Sequence, residues 1–148
     1  MSKVLLIGIS KVRGGPISKM NSVEAIKGKG LLGDRNFKEY NEKRSQLTLI
    51  EIENINYYNK TTSSSIEPLN FRRNIITEGV ELSKLVNKEF SIGNIKIKAH
   101  DLCRPCKYLQ ELLNQKNLIK ELMLKAGLRC EILTTGKISV EDLIKTYD

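Results

Sequence analysis

The sequence predicts an α+β domain, β-rich and built on a mostly antiparallel, barrel-like sheet with a few helices. Three observations carry this expectation. Mid-chain, Phe90, Ile92, Ile95, Ile97 and Ala99 alternate on both sides of Gly93-Asn94, a two-residue hairpin turn. Strand-like runs both precede and follow a helical stretch that begins at Pro105. The regular βαβ alternation of a parallel sheet is missing. A length of 148 residues suits one domain with a real core and is too short for two ordinary catalytic domains, so residues 1–148 are read as one.

Taken in order, Lys3 to Ser10 is a β-type run that ends at the turn-forming cluster Arg13-Gly14-Gly15-Pro16. Ser22 to Ile26 reads as a second strand. The glycine-dense segment Gly28 to Arg35 follows, a loop whose backbone approaches a ligand closely but which lacks Walker spacing. Leu47 to Tyr58 carries apolar residues at 49, 52, 55 and 58, and Thr48 with Glu51 has the form of a capping box, which together predict a helix. Lys60 to Ser65 reads as a mobile polar loop. Phe71 to Thr77 reads as a strand, and Val80 to Val86 as a short helical turn after Gly79. Beyond the hairpin and Pro105, the pairs Leu109/Leu113 and Leu118/Leu122 have helical spacing, with Gly127 placed to end the helical region. Leu128 to Thr135 and Lys137 to Tyr147 read as closing strands.

Composition narrows the chemistry. Apolar residues make up 40% and charged residues 28%, which excludes a disordered polyelectrolyte. The longest apolar run, Val4 to Ile9, is too short to span a bilayer, and Met1 to Ser10 reads as a first strand and not a signal peptide. A cytoplasmic location and no membrane partner are expected. The net charge of +8 favours an anionic partner, while absent tryptophan and only 5% aromatic residues supply few stacking platforms for single-stranded nucleic acid. The one histidine, His100, leaves little room for imidazole chemistry. Three cysteines, an odd number, argue for reduced thiols, so sulfur chemistry is the expected reactivity.

Cys103-Arg104-Pro105-Cys106 is the sharpest local motif. It lies between a hairpin strand and a helix start, where helix amides, Arg104 and Lys107 favour a Cys106 thiolate, a nucleophile and a ligand for soft metals. A thioredoxin-like pair fits poorly, because its motif follows the first strand of a βαβ unit. A zinc site from His100, Cys103, Cys106 and Cys130 has half of the usual signature. A single thiolate at Cys106 remains, and it needs an anion-holding site nearby. In a strand, Arg72 and Asn74 would share one face and Arg73 the other, giving a cationic fork beside an amide. For Gly33-Asp34-Arg35 the competing reading is a braced turn in which Asp34 pairs with Arg35. Cys130 reads as an inert core residue.

The order of these signals is specific. Gly33-Asp34-Arg35 is followed by Arg44 with Gln46-Leu47-Thr48-Leu49-Ile50, then by Arg72-Arg73-Asn74-Ile75. Gly79-x-x-Leu82-x-x-Leu85 leads to Phe90-x-Ile92-Gly93, and Pro105-Cys106-x-x-Leu109, Gly127-Leu128 and Gly136-x-Ile138 complete the series. Over nearly the whole chain this series resembles the MOSC domain, the module named for the C-terminal part of molybdenum cofactor sulfurases, in its small stand-alone bacterial form. The resemblance implies a fold like the pyruvate-kinase β-barrel and binding of molybdenum cofactor, a pterin dithiolene with a terminal phosphate. It maps the family's invariant cysteine onto Cys106, as molybdenum ligand in a small oxidoreductase that reduces N-oxygenated compounds, or as a sulfur carrier for metal-sulfur centres. It assigns Arg72, Arg73 and Asn74 to the pterin and phosphate, with Gly33, Asp34, Arg35, Gln46 and Thr48 completing the cofactor site. The series departs from the family at Asn36, where histidine is common, and at Glu141, where glycine is common. No aminotransferase-like domain accompanies it, so no pyridoxal phosphate is expected. The partners implied are the anionic cofactor and a sulfur donor or electron-transfer protein, with nucleic acid disfavoured. The rival is a non-catalytic module, zinc-stapled or binding nucleic acid.

Overall fold

The structure, a computed structural model, describes residues 1–147. Among the described residues eleven strands form two sheets. The larger sheet has the order β11-β7-β8-β9-β5-β6-β1-β2, with β1 at Lys3–Ile9, β2 at Ser18–Met20, β5 at Leu47–Glu51, β6 at Ile75–Glu78, β7 at Glu89–Ile92, β8 at Ile95–Leu102, β9 at Leu128–Ile132 and β11 at Ile144–Thr146. The smaller sheet is β10 (Gly136–Ser139), β3 (Ser22–Ile26) and β4 (Gly30–Leu31). Only β5 and β6 pair in parallel; every other pairing is antiparallel. The large sheet curls until its β11 edge reaches β1. Leu143, just before β11, bridges Lys3 of β1, and Ile144 N–H donates to the Ser2 carbonyl at 2.9 Å. Curling buries one face of most strands, as the α+β, barrel-like expectation requires.

Strand alternation separates two cores. Leu47 and Leu49 of β5, Ile75 of β6, Phe90 and Ile92 of β7 and Ile97 of β8 point into the barrel. Ile50 of β5 and Ile76 of β6 point outward, beneath helix α1 (Ile52–Thr62) and the pair α2 (Lys107–Leu112) and α3 (Leu118–Glu121). Tyr58 and Phe71 meet edge to face in this outer core, with centroids 5.7 Å apart. The hairpin forms as expected, with Phe90 opposite Ile97 and Ile92 opposite Ile95.

Five local expectations are corrected. Leu47 to Tyr58 is half strand and half helix: Leu47 to Glu51 pairs with β6 and β9, and α1 begins at Ile52. The Thr48–Glu51 capping box does not form, because the Thr48 hydroxyl is committed to Asn74 and Glu51 makes no side-chain cap. Lys60 to Thr62, expected in a loop, is the last turn of α1, ended by Ser63 in the left-handed conformation. The final strand is broken in two at Glu141, whose φ of 77° turns the chain. That position takes glycine in the pattern the sequence resembles, and the positive φ gives the physical reason. Finally, Arg72-Arg73-Asn74 is not strand, and its geometry shapes the cleft described below.

The junction of β5 and α1 leaves Glu51 over half-buried beside Glu53 and Glu81. Burial, and then Glu53, push its carboxyl up from 4.5 to about 7. A carboxyl raised in the folded state contributes stability fully present below its unfolded pKa and lost as pH climbs through about 7. The urea midpoint of the native chain should therefore fall between about pH 5 and about pH 8 by more than that of Glu51→Gln, which lacks the titration. Equal falls in the two proteins would remove Glu51 as the cause.

Candidate functional site

Three chain segments converge at one end of the barrel. The first is the turn after the short 3₁₀ helix Pro68–Phe71. Arg72 has φ 65° and ψ 33°, a left-handed conformation that reverses the chain before β6 starts at Ile75. The strand-face expectation for these residues is thus corrected. Alternation does not apply, and Arg72 and Arg73 both line a single cleft. Asn74 is spent on backbone. Its amide Nδ2 donates to the Gly8 carbonyl of β1 at 3.2 Å, and its Oδ1 accepts from both the Thr48 N–H and the Thr48 hydroxyl at 3.2 Å. Asn74 therefore ties β6 to β1 and β5 and fixes where the two arginines leave the sheet.

The second segment is Gly33-Asp34-Arg35. Gly33 adopts φ 90°, and buried Asp34 accepts from the Ser10 N–H at 3.0 Å and from the Asn36 N–H at 3.2 Å. Asp34 braces the turn as the bland reading held, but it makes no ion pair with Arg35, which is turned into the cleft. The third segment is Cys103 to Leu109. Cys106 caps α2, its Sγ accepting from the Leu109 N–H at 3.4 Å, and it is exposed in the cleft. Cys103 is buried beside it, its N–H donating to the Gly127 carbonyl at 2.7 Å.

The cleft between them has a volume of ≈ 470 Å³. Among the described residues six arginines line it, Arg13, Arg35, Arg72, Arg73, Arg104 and Arg129, and no carboxylate does. Among the described residues none of the six has an acidic partner within 4.0 Å. Two are held by neutral groups. Arg72 donates to the Gly15 carbonyl at 2.9 Å, and Arg73 Nε donates to the Ala126 carbonyl at 2.8 Å, leaving the rest of each fork to the cleft. Burial first, and then the nearby charge of Arg35, pull the Arg72 pKa below the ordinary arginine value. Arg13 stacks over the Tyr108 ring at 4.2 Å from its centroid. Burial pushes the Cys103 thiol up, against the opposing pull of Arg73 and Arg129. Such a wall of uncompensated guanidinium forks suits a phosphate or another oxyanion, and the Cys106 sulfur offers a soft donor at its edge.

Of the expected site residues, Arg35, Thr48, Arg72, Arg73 and Cys106 come together in this cleft. Asp34 and Asn74 line a small adjoining recess and act as braces. Gly33 shapes its turn without lining either hollow. Gln46 lies elsewhere: its side chain is buried, accepting from the Ile132 N–H at 2.9 Å and donating to the Glu42 carbonyl. The zinc constellation does not assemble. Cys130 faces the barrel interior, Cys103 packs in the outer core, and His100 Nε2 lies 2.9 Å from Glu131. Among the described residues no three His, Cys, Asp or Glu side chains converge on a metal position. Burial pushes the Cys130 thiol well up, as befits an inert core residue. Sequence reasoning missed Arg13 and Arg129 as site residues. For Arg129 a signal existed: it alternates with buried Leu128 and Cys130 in β9 and so faces outward.

The sequence pattern of the MOSC domain matches residues 11–145. The chain belongs to the MOSC domain family. That family is associated with molybdenum cofactor sulfurases and related proteins. Solved structures similar to this MOSC domain include the YuaD protein from Bacillus subtilis, 18% identical with a TM-score of 0.84, the match covering 100% of this chain and 98% of that one. YiiM from Geobacillus stearothermophilus is 12% identical with a TM-score of 0.75, covering 100% of this chain and 76% of that one. YiiM from Escherichia coli is 17% identical with a TM-score of 0.74, covering 100% and 70%. At these identities the likeness is one of fold. No curated protein sequence matches this chain. Among the described residues no helix is long and apolar enough to cross a membrane.

One glycine joins the fold to the site. Gly127 has φ 113°, and a Cβ there would lie 2.2 Å from the Leu49 carbonyl oxygen and 3.4 Å from Arg73 Nε. Backbone blocks that approach from one side and the Arg73 anchor from the other. Gly127→Ala should cost at least about 2 kcal/mol of stability, read as a thermal midpoint lower by roughly 5 °C or more. An unchanged midpoint would show that β5 and β9 can separate locally without penalty.

Proposed function

We propose that this MOSC domain binds molybdenum cofactor and works through one thiolate, Cys106, as the protein's ligand to molybdenum in a small oxidoreductase acting on N-oxygenated compounds. The observation that carries the reading is the joint presence, in one cleft, of an exposed cysteine sulfur and six arginines that have no carboxylate partner among the described residues. The donor set fits the group. A soft thiolate matches molybdenum, and arginine forks match a terminal phosphate and the polar edge of a pterin. When bound, the cofactor supplies two-electron redox chemistry. The chain's own residues do the rest.

In this reading Arg35, Arg72 and Arg73 bind the phosphate through charge-assisted hydrogen bonds. Gly15 and Ala126 carbonyls hold the inner edges of Arg72 and Arg73, so the forks are oriented before the ligand arrives and lose little side-chain entropy on binding. Thr48 and Asn74 keep β5, β6 and β1 in register beneath them. The N–H of Leu109 holds the Cys106 sulfur at the end of α2. Asp34 has each oxygen engaged by a backbone N–H, which holds the Arg35 turn against Ser10. The partner class is an electron-transfer protein, and the ligand class is a phosphorylated pterin. A second reading, Cys106 as a carrier of sulfur received from a donor protein, is favoured by the exposure of the thiol.

Metal analysis of protein purified from a molybdate-supplied host decides between the two. The molybdoenzyme reading expects near-stoichiometric molybdenum, falling about tenfold or more in Cys106→Ser and in Arg73→Gln while Cys103→Ser retains most of it. Labile sulfane sulfur on Cys106 without molybdenum would establish the carrier instead. Tight zinc whose chelation unfolds the chain would overturn both. If Cys103→Ser proves as damaging as Cys106→Ser, a two-cysteine site replaces the single thiolate.

A further inference from the structure

We propose that the cleft contains two separate anion subsites, and that the outer one, beside Cys106, takes a negatively charged group of the substrate, so that this domain acts on anionic compounds. The proposal deepens the molybdenum-cofactor reading, because it takes Cys106 as the reacting end of the cleft.

Charge supply is the first argument. A phosphate monoester carries about −1.5 to −2 at neutral pH, and the three guanidinium groups of Arg35, Arg72 and Arg73 already match or exceed it. The remaining three line the same cleft with no acidic partner. Like charges gathered in one cleft repel one another, the more so the less water screens them. Three cations beyond what the phosphate uses therefore weaken the empty protein unless a second anion offsets them.

Arrangement is the second argument. Arg35, Arg72, Arg73 and Asn36 line both the cleft and an adjoining recess of ≈ 20 Å³, a space about the size of one water or one phosphoryl oxygen. This is the inner end. Arg13, Arg104 and Arg129 line the larger cleft and not the recess, in common with Cys106 and Tyr108. The two groups are thus divided, three to the recess and three to the thiol.

The third argument is a local contrast. Asp101 of β8 stands opposite Arg129 in the sheet register, yet it pairs with Arg44, whose Nε lies 3.2 Å from its carboxylate. Asp101 is taken by Arg44, and Glu131, two residues along the same face of β9, lies 2.9 Å from His100, so Arg129, half-buried on β9, has no acidic partner within 4.0 Å among the described residues. Arg13 is likewise positioned by the Tyr108 ring, a contact that holds the cation without neutralising it. A neutral substrate would leave these charges unused.

Equilibrium dialysis of the metal-free full-length chain against inorganic phosphate tests the proposal without any call on enzyme activity. Two phosphates per chain are expected. The double variant Arg104→Gln/Arg129→Gln should weaken one of them about tenfold or more and spare the other, and Arg35→Gln should do the reverse. Neither Arg35, Arg104 nor Arg129 makes a side-chain hydrogen bond or ion pair among the described residues, so these variants are expected to fold, with unchanged thermal midpoints as the check. A single phosphate, lost in Arg35→Gln and untouched in the double variant, would overturn the outer subsite and leave the cofactor reading standing. Inorganic pyrophosphate that displaces both phosphates at one molecule per chain would also overturn it, because both subsites would then belong to one diphosphate ligand. Failure to bind any phosphate would overturn it as well, while molybdenum content would still report separately on Cys106.

Discussion

The left-handed turn at Arg72 and the amide of Asn74 two residues later set the geometry on which the cleft depends. Had the chain continued as strand through these residues, one arginine would have faced the barrel and one the solvent. The positive φ at Arg72 instead delivers both guanidinium groups to the same side. A non-glycine residue costs about 1 kcal/mol or more in that conformation. The cost is offset by the bonds that Asn74 makes to Gly8 and Thr48 and by those the arginines make to Gly15 and Ala126. The strain, the strand register and the orientation of the cations are thus one arrangement. Gly127 belongs to it too, because its lack of a side chain lets β9 approach β5 closely enough for the Ala126 carbonyl to reach Arg73.

Charge distribution gives the second level of organisation. The net charge of +8 is concentrated in function, since six arginines share one concave surface while the acids near it are committed elsewhere. Asp34 is bonded to backbone N–H groups and Asp101 to Arg44. Most lysines, by contrast, lie on the outside of the sheets and helices, and several pair with surface glutamates, interactions that contribute little to stability. A concave cationic surface of this kind suits a small polyanion.

Much of the fold was legible because its strands obey simple rules. The hairpin at Gly93-Asn94 combined a period of two with a turn dipeptide that admits little else. Leu47 to Tyr58 was misread because positions 49, 52, 55 and 58 satisfy a helical spacing, although 47 and 49 also satisfy a strand, and only pairing with β6 and β9 decides between them. The arginine pair was recognised and its geometry was not, since nothing in the local sequence marks Arg72 as left-handed; that conformation is imposed by the preceding 3₁₀ turn and by Asn74. Cys106 was found from chemistry, Cys130 from its place in a strand. Arg13 and Arg129 reach the cleft through tertiary placement, and Gln46 leaves it for the same reason, drawn inward to satisfy the Ile132 N–H. Tertiary placement, and not propensity, decides the cases of Leu47 to Glu51, Arg13 and Gln46.

Native mass spectrometry of the intact chain, purified without denaturation from a molybdate-supplied host, tests the central claim most directly. The account predicts a mass increment equal to one phosphorylated pterin bearing molybdenum, present in the native chain and reduced to the bare polypeptide when Arg72 and Arg73 are both changed to glutamine. A chain that carries no pterin, or a pterin increment that persists after both arginines are removed, would contradict it.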